Sequence, residues 1–286
     1  MRKIISGKVR DVYEINDKEL VIVTTDRISA FDVILDSTIE NKGVALNLIS
    51  LYWFDYTKSI MPNHIISTEL SDMPACFSEN PAQYAKRTVL VKKLKMLPYE
   101  FIVRGYMFGS MWEEYKTSGT FCGEKIKNQY DLAQKLPTPI VTPSVKNSDG
   151  HDEYISLERL KQEMGSNEAD KICDICLKLY ETCYAQALKK GIIIADTKFE
   201  FGYGENGKLT LGDEIFTPDS SRFWALSDLK IGTSPKSYDK QFVRDWLIAH
   251  KLNGVTPASE LPEEIRKATA TLYKDCYRKI TGRNEY

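Results

Sequence analysis

Residues 191–216 constrain the fold more than any other segment of this 286-residue chain. The segment begins with an apolar, β-branched run at 192–195, which is typical of a strand in the middle of a sheet. From residue 196 onward charged and apolar side chains alternate, so Asp196, Lys198 and Glu200 share one face of the strand. The pattern predicts a central strand whose second half carries a charged face.

A tight turn is predicted at Asn206 and Gly207, because a two-residue type I′ loop needs positive φ at both central positions and Asn-Gly supplies it. With these two residues as the loop, Glu200 lies directly opposite Asp213 on the returning strand. Opposed side chains project to the same face with Cβ atoms about 5 Å apart, where two like charges destabilise the sheet. If this register holds, the sequence predicts a cation between Glu200 and Asp213.

The oxygen ligands of this pair favour magnesium, because neither strand contains His or Cys. Mg²⁺ is commonly held by one or two carboxylates together with substrate phosphates. Lys198, on the same face, would add a positive charge for a phosphoryl group. The alternative interpretation is a solvated strand face that carries its charges without a function.

The rest of the chain predicts an α+β fold, since strands and helices are mixed and the clearest strand pair is antiparallel. A break at residues 95–98 is the expected boundary between a small β-rich domain, 1–95, and a larger α+β domain, 96–286. Apolar patterning and turn residues place the elements as follows: a hairpin over 8–15 and 19–25, a helix over 45–60, a strand over 88–94, a strand over 99–104, a Pro- and Thr-rich loop over 137–150, and helices from Ser156, over 168–190, from Asp239 and from Pro262.

Composition excludes several classes of protein. The chain has 39 basic and 40 acidic residues, and no run of Lys or Arg stands apart from acids, which argues against nucleic-acid binding. The N-terminal residues lack the apolar core of a signal peptide, and no apolar stretch approaches the ~18 residues that cross a bilayer. We therefore expect a soluble, cytoplasmic protein without nucleic-acid or membrane partners, as a monomer or small homo-oligomer.

The pair Cys173 and Cys176 has the spacing of a metal or redox motif, but its surroundings favour another role. Apolar residues around it recur at helical spacing, and no second close Cys pair or His pair completes a zinc site. Buried Cys behaves as a small apolar side chain. The sequence predicts that both thiols belong to the core.

Three further clusters contain groups that bind anions. Residues 217–222 combine Ser hydroxyls with Arg222, although a plain turn is the alternative. Glu100 and Arg104 flank an apolar run, where a structural ion pair is equally expected. Residues 6–11 place two cations after a glycine, but they match neither a Walker A motif nor G-x-G-x-x-G, and a surface turn is the alternative.

Eight segments, in order, make the chain resemble the SAICAR synthetase (phosphoribosylaminoimidazole-succinocarboxamide synthase) family, in the longer form known from yeast. They are GKVRDVYE, TDRISAFD, NKG, LPYEFIVRGY followed by GS, TPSVK with HDEYIS, GIIIADTKFEFG, GDEIFTPDSSRFW and SYDKQFVRDWL. The resemblance implies a small β-rich domain packed on a larger α+β domain, with ATP in the cleft between them. It also implies a magnesium-dependent ligase of de novo purine (IMP) biosynthesis, which joins 5-amino-1-(5-phosphoribosyl)imidazole-4-carboxylate to L-aspartate and releases ADP and phosphate.

The resemblance also implies roles for individual residues. Those expected to bind ATP are Lys8 and Arg10 over the phosphates, Lys95 and Met96 at the adenine, and Glu200 and Asp213 through magnesium. Those expected to bind the ribotide are Arg104, Ser110, Ser221 and Arg222, with Asp219 supporting their loop. Those expected near aspartate are Lys146, His151 and Asp152, and those expected to act in catalysis are Lys198, Asp196 and Arg222.

One residue departs from the pattern that the resemblance implies. Phe108 stands before Gly109 and Ser110, where the family usually has a small Thr or Ala. A large ring there could reshape the chain that presents Ser110 to the substrate. The role expected for Ser110 therefore depends on how the chain accommodates the ring of Phe108.

The expected chemistry is activation of a carboxylate by phosphorylation, followed by attack of an amine on the acyl phosphate. Asp196 and His151 are the candidates for the group that accepts the amine proton. A phosphotransferase of the protein-kinase type is one alternative, but the chain has no His-Arg-Asp loop and no Asp-Phe-Gly motif. A nucleotide-binding module without catalysis is the other, and the paired carboxylates argue against it.

Overall fold

The computed structural model describes residues 1–31, 33–147, 152–256 and 260–286. The elements up to residue 96 are β1 (Arg2–Ser6), β2 (Arg10–Glu14), β3 (Glu19–Thr24), β4 (Arg27–Ala30), β5 (Val33–Thr38), α1 (Lys42–Thr57), β6 (Ile65–Ser67), α2 (Ala75–Ser78), α3 (Pro81–Tyr84), β7 (Thr88–Lys92) and β8 (Lys95–Met96).

The elements after residue 98 are β9 (Tyr99–Tyr106), α4 (Gly109–Ser118), β10 (Thr120–Phe121), β11 (Glu124–Lys125), β12 (Lys135–Val145), β13 (Glu153–Tyr154), α5 (Leu157–Met164), α6 (Ser166–Lys189), β14 (Ile192–Tyr203), β15 (Leu209–Gly212), β16 (Ser221–Ala225), α7 (Gln241–Ala249) and α8 (Glu263–Thr281).

An antiparallel sheet with the strand order β1-β2-β3-β7-β6 dominates the first part of the chain. Its β2–β3 hairpin confirms the sequence prediction, with pairing from Arg10 opposite Thr24 to Glu14 opposite Leu20. Strands β4 and β5 form a separate two-stranded ribbon. The mixture of antiparallel sheets and helices confirms the α+β class.

The second large sheet is organised around β14, as the buried run at its start predicts. The order is β13-β12-β9-β14-β15, and β16 and β8 also pair with β14. The first half of β14 lies between β9 and β16, whereas its second half pairs with β15 and β8. Because all four neighbours are antiparallel to it, β14 brings side chains from distant parts of the sequence into one row.

The predicted two-residue loop at Asn206 and Gly207 is wrong by one residue. Gly204 N–H donates to Lys208 O at 3.1 Å and Gly207 N–H to Gly204 O at 2.9 Å, which closes a three-residue loop. Only Gly207 of its three residues has a positive φ, 68°, as in the common loop of a type I turn followed by a left-handed residue. Glu200 is therefore opposite Gly212 rather than Asp213.

The loop predicted over 137–150 is also wrong in its first half, because β12 extends to Val145. It pairs with β9 from Ile140 opposite Arg104 to Val145 opposite Tyr99, after an irregularity that contains Pro137 and Pro139. On its other side β13 pairs only at residues 144 and 145. An edge strand tolerates prolines, since a missing N–H leaves no partner unsatisfied there.

Helices α1, α5, α6 and α8 pack against the β14 sheet in one large apolar core. Helix α1 begins three residues before the predicted start, and α5 begins as predicted, with Ser156 Oγ accepting the N–H of Arg159 at 3.1 Å. Cys176 on α6 is buried in this core, Cys173 is partly buried against it, and all six thiols are free, which confirms the packing role of the Cys pair. Helix α1 contributes Trp53 and Phe54 to the same core, so the division at residue 95 stays a prediction.

Within the described ranges, no helix combines the length and apolar character that crossing a bilayer requires.

Candidate active site

Three charged residues form a row across the β14 sheet. The pairing register sets Asp196 of β14 opposite Arg104 of β9 on one side and opposite Arg222 of β16 on the other. Directly opposed side chains project to the same face. We call Arg104, Ser110, Ser221 and Arg222 the arginine wall. The two arginines belong to the row and the two serines lie beside them, and all four carry donors that an anion would use.

The guanidinium of Arg104 is buried, with 2% of the residue exposed, although it has no carboxylate within ion-pair distance among the described residues. Its Nε donates to Thr142 Oγ1 at 2.9 Å and its Nη2 to Ser110 Oγ at 3.2 Å. The rings of Phe121 and Tyr154 lie 4.9 and 5.4 Å from its Cζ. Aromatic faces and hydroxyls thus hold a positive charge that an anion can still neutralise.

Arg222 is fixed by an ion pair and by close packing. Its Nη1 donates to Asp196 Oδ2, and its Cζ lies 5.5 Å from the ring of Phe108. A methyl group at Gly109 would lie only 2.6 Å from Nη2 of Arg222, and Gly109 has φ of 61°. Glycine is therefore required at position 109 both for its backbone conformation and for room.

Phe108 does not disturb the presentation of Ser110. Its backbone is extended, and its ring packs edge to face on Trp224 with centroids 5.0 Å apart. Helix α4 begins at Gly109, so Ser110 lies in its first turn and reaches Arg104 as described. The ring of Phe108 therefore supports Arg222, and Ser110 remains in contact with Arg104.

The turn at 217–222 is tightly hydrogen bonded. Thr217 Oγ1 accepts the N–H groups of Asp219 and Ser220, both at 3.2 Å. Ser221 Oγ lies 2.7 Å from Thr197 Oγ1 of β14, which joins the turn to the central strand. Asp219 is held by Lys42 at 2.7 Å, so the turn has support on both sides.

A second cluster of charges lies farther along β14. We call Arg10, Glu100, Lys146, Lys198, Glu200, Asp213 and Glu214 the acid cluster. Lys198 is at its centre, because its Nζ contacts Glu200, Glu100 at 2.8 Å and Asp213 at 3.5 Å. Burial alone would lower the pKa of Lys198, but the carboxylates around it raise that pKa well above its usual value, so the ammonium stays charged.

Glu200 and Asp213 come together although the predicted register is wrong. Under the observed register a regular strand would direct Asp213 to the opposite face. Strand β15 ends at Gly212, however, and Asp213 takes a left-handed conformation with φ of 54°. This turn of the backbone brings its carboxylate to Lys198, which also contacts Glu200.

Negative charge exceeds positive charge in the acid cluster. Arg10 pairs with Asp213 and Glu214, and Lys146 pairs with Glu200. With Lys198 there are three cations, against four carboxylates once Glu100 is included. Burial raises the pKa of Glu200 and of Glu214, and the nearby Asp213 carboxylate raises both further, so an added cation would stabilise their ionised forms.

The donor set fits magnesium that is shared with phosphates. Among the described residues, no three His, Cys, Asp or Glu side chains form a group that could hold a metal ion alone. Mg²⁺ needs only one or two carboxylates when phosphate oxygens and water complete its octahedron. Glu200 and Asp213 supply two such carboxylates on either side of Lys198.

A cavity of about 730 Å³ opens over the arginine wall and Lys198. Of the residues expected to bind or react, those that line it are Lys8, Arg104, Ser110, Asp152, Asp196, Lys198, Asp219, Ser221 and Arg222. Arg10, Lys146, Glu200 and Asp213 lie next to it through their contacts with one another and with Lys198.

The remaining predicted residues lie farther from this cavity or outside the described ranges. Lys95 and Met96 are exposed on β8 and pair with Tyr203 and Gly202 at the far end of β14. Met96 covers that end, since a methyl group at Gly212 would lie 3.2 Å from its Cε. His151 lies outside the described residues, so its expected place near aspartate stays a prediction.

Sequence reasoning missed several residues of this cavity. Lys240 and Arg244 both line it, and their spacing of four residues at the start of α7 places them on one helix face. They belong to the SYDKQFVRDWL segment, so this spacing on a predicted helix was a signal that could have found them. Glu214 was also missed; it belongs to the acid cluster rather than to the cavity lining, and its position beside Asp213 is the only feature of the sequence that points to it.

Comparisons with known proteins identify the family of the chain. A family model described as SAICAR synthetase matches residues 3–260. The phosphoribosylaminoimidazole-succinocarboxamide synthase of Lachnospira eligens is 49% identical to the chain, over 97% of the chain and 94% of that relative. The SAICAR synthase of Saccharomyces cerevisiae, solved in complex with SAICAR, is 42% identical with a TM-score of 0.92, over 99% of the chain and 96% of that structure.

A more distant structure, a SAICAR synthetase (Type-2) in complex with ADP, is 26% identical with a TM-score of 0.72, over 99% of both chains. The similarity therefore spans nearly the whole length of the protein in sequence and in structure. The chain belongs to the SAICAR synthetase family.

Proposed function

We propose that the cavity over β14 is where the protein makes SAICAR, with the arginine wall binding the ribotide and the acid cluster binding ATP. The activity itself follows from family membership: an ATP-dependent ligase of purine biosynthesis joins 5-amino-1-(5-phosphoribosyl)imidazole-4-carboxylate to L-aspartate. The main support for placing the two ligands at different ends of the cavity is the order of side chains on β14. Asp196 lies between Arg104 and Arg222 at one end, and Lys198 and Glu200 follow farther along the same strand.

The ribotide fits the arginine wall because it is an anion with hydroxyl groups. Arg104 offers a guanidinium without a carboxylate partner among the described residues, and Ser110 and Ser221 offer hydroxyls beside it. Lys240 and Arg244 add two cations to the lining of the same cavity. Guanidinium forks bind phosphates and carboxylates in two-point contacts, which fixes orientation as well as charge.

ATP fits the acid cluster through magnesium. Glu200 and Asp213 would hold the ion, and when bound it supplies positive charge to the phosphate oxygens. Lys8, which lines the cavity, and Arg10, beside Asp213, would contact the phosphates. Lys95 and Met96 would contact the adenine ring. The ADP complex of the more distant family structure supports nucleotide binding by this fold.

The chemistry needs two steps because a free carboxylate has no adequate leaving group for an amine. In the first, an oxygen of the ribotide carboxylate attacks the γ-phosphorus, the bond to ADP breaks, and an acyl phosphate forms. Lys198, which stays protonated, would neutralise charge on the transferred group. In the second, the amine of aspartate attacks the acyl carbon and phosphate leaves.

The second step releases a proton, which Asp196 or His151 would accept. Lys146, which directly follows β12, and Asp152, which lines the cavity, would orient aspartate. Asp196 already accepts a hydrogen bond from Arg222, so its carboxylate has a fixed orientation.

The compartment is proposed to be the cytoplasm, where this biosynthetic chemistry is expected, and the protein is proposed to be a monomer or small homo-oligomer.

Product analysis tests the proposal. With Mg-ATP, aspartate and the ribotide labelled with ¹⁸O in its carboxylate, we expect one amide, one ADP and one phosphate per turnover, with one ¹⁸O in the phosphate. A stable phosphoester without free phosphate would instead identify a kinase-type phosphotransferase. ATP binding without turnover would identify a nucleotide-binding module.

A further inference from the structure

A fully buried lysine lies behind the wall of the cavity. Lys42 is the first residue of α1, and 0% of it is exposed. Its Nζ lies 2.7 Å from Asp219 Oδ2. Burial of an ammonium is unfavourable unless it is paired and hydrogen bonded. The surroundings of its partner, Asp219, therefore indicate what this lysine does.

Both carboxylate oxygens of Asp219 are held from behind the cavity. Tyr273, a fully buried residue of α8, donates its hydroxyl to Oδ1 at 2.6 Å, while Lys42 donates to Oδ2. Lys240 approaches Oδ2 from the cavity side at 3.8 Å. Three elements that are far apart in sequence, α1, the turn at 217–222 and α8, therefore meet at one carboxylate.

The consequences of this contact lie at the cavity surface. Asp219 and Lys240 line the cavity, whereas Lys42 and Tyr273 do not. Asp219 is also part of the hydrogen-bonded turn that leads directly into Ser221 and Arg222. Whatever fixes Asp219 thereby fixes two donors of the arginine wall and the ammonium of Lys240.

Stability alone does not explain a buried ion pair of this kind. Replacing such a pair with apolar side chains of similar volume is often neutral or stabilising. Burial lowers the pKa of Lys42, and Asp219 opposes that shift, so desolvation of the ammonium is an electrostatic cost of the pair. A positional role accounts for the retention of the charged pair.

We propose that Lys42 and Tyr273 are positioning residues for the ribotide: by holding both oxygens of Asp219 they fix the turn that presents Ser221 and Arg222, and they keep Lys240 directed into the cavity. This inference rests on the proposed assignment of the arginine wall to the ribotide. It couples α1, in the first part of the chain, and the C-terminal helix α8 to substrate binding without contact between either residue and the substrate.

Tyr273→Phe tests the proposal with the smallest change, since only one hydroxyl is removed. Loss of a hydrogen bond to a charged group is expected to raise the KM for the ribotide roughly tenfold, with the KM for ATP unchanged. Tyr277→Phe is the matched control, because Tyr277 is one turn later on α8, equally buried, and donates instead to Glu285 O at 2.9 Å. Its KM for the ribotide should equal that of the wild type.

Lys42→Met removes the nearer of the two cations at the buried Asp219 carboxylate, so the folding of this variant has to be checked by thermal unfolding. The double variant Lys42→Met with Asp219→Asn removes both charges and should recover stability while the KM for the ribotide stays raised. Equal KM values for Tyr273→Phe, the double variant and Tyr277→Phe would overturn the proposal and leave a structural contact. The kcat/KM of Arg104→Met for the ribotide tests the arginine wall assignment separately, so the two failures can be distinguished.

Discussion

Buried charges are stabilised by different kinds of contact at the two ends of the β14 face. In the acid cluster, carboxylates are neutralised by cations of the protein, with Lys198 contacting three of them. In the arginine wall, Arg104 is held by hydroxyls and aromatic rings and has no carboxylate partner among the described residues. One end is crowded with negative charge, and the other keeps positive charge available.

This difference indicates which ligand each end can take. An anion alone would be repelled by the carboxylates of the acid cluster, whereas a phosphate that arrives with a divalent cation would satisfy them. The arginine wall needs no divalent cation, because an anionic substrate supplies the missing negative charge directly. Metal dependence is therefore expected at one end of the cavity and not at the other.

The largest expected effect is at the acid cluster. Glu200→Gln and Asp213→Asn keep side-chain size but remove the carboxylates proposed to hold magnesium, so each should lower kcat about 100- to 1,000-fold without loss of folded structure. Steady-state assays across magnesium concentrations would measure this. Glu205→Gln is the control, because Glu205 belongs to the same hairpin with 64% of its side chain exposed, and near-normal turnover in Glu200→Gln or Asp213→Asn would remove the metal assignment.

The next effect should be confined to the ribotide. Arg104→Met removes the guanidinium and keeps an unbranched side chain, so kcat/KM for the ribotide should fall about 10- to 100-fold, with no change in magnesium dependence. Arg104→Lys keeps the charge without the fork and should fall less. Arg159→Met, on the surface helix α5, is the control, and a larger change in the KM for ATP than for the ribotide would contradict the division of the cavity.

A smaller effect tests how Arg222 is supported. Phe108→Leu removes the aromatic face beside the guanidinium, which is worth about 1 kcal/mol at a partly exposed site, so the KM for the ribotide should rise about fivefold. Phe108→Tyr keeps the ring and should remain near the wild-type value. Equal values for the two variants would show that only the volume of the side chain matters.

The smallest effect concerns stability at acid pH. Burial alone would raise the pKa of Asp219, but Lys240 and Lys42 outweigh it, and the pKa is lowered. The unfolded state therefore binds more protons near and below pH 4, and stability present above that range is lost as the pH falls. Urea unfolding between about pH 5 and pH 3 should show a flatter dependence for Asp219→Asn than for the wild type, and parallel curves would contradict the shift.

Local sequence patterns predicted the central strand and the first hairpin, because alternation and turn residues act over short distances. The same patterns predicted the wrong register for β14 and β15, because the loop between them has three residues rather than two. Within that loop Asn206 Oδ1 accepts the N–H of Lys208 at 3.0 Å. Glu200 and Asp213 nevertheless meet, because one left-handed residue at the strand end offsets the slip. A pairing argument was thus insufficient without the backbone conformation of Asp213.

Long-range pairing explains most of what the sequence could not predict. No local pattern shows that Arg104 and Arg222 flank Asp196, because β9, β14 and β16 are separated in the sequence by other elements or by turns. Proline-rich β12 was mistaken for a loop, since its edge position is a property of the sheet and not of the segment. The Lys42 contact likewise depends on the packing of α1 against α8.

The central claim is that Glu200 and Asp213 hold a divalent ion that carries the nucleotide, beside an arginine wall that carries the ribotide. A crystal grown with Mn²⁺, a non-hydrolysable ATP analogue and the ribotide tests it, because the anomalous signal of Mn²⁺ locates the metal. We predict one metal peak bound by both carboxylates and by the analogue's phosphates, with the ribotide on Arg104 and Arg222. Metal and phosphates bound elsewhere, with Glu200 and Asp213 still paired to Lys198, Lys146 and Arg10, would contradict the account.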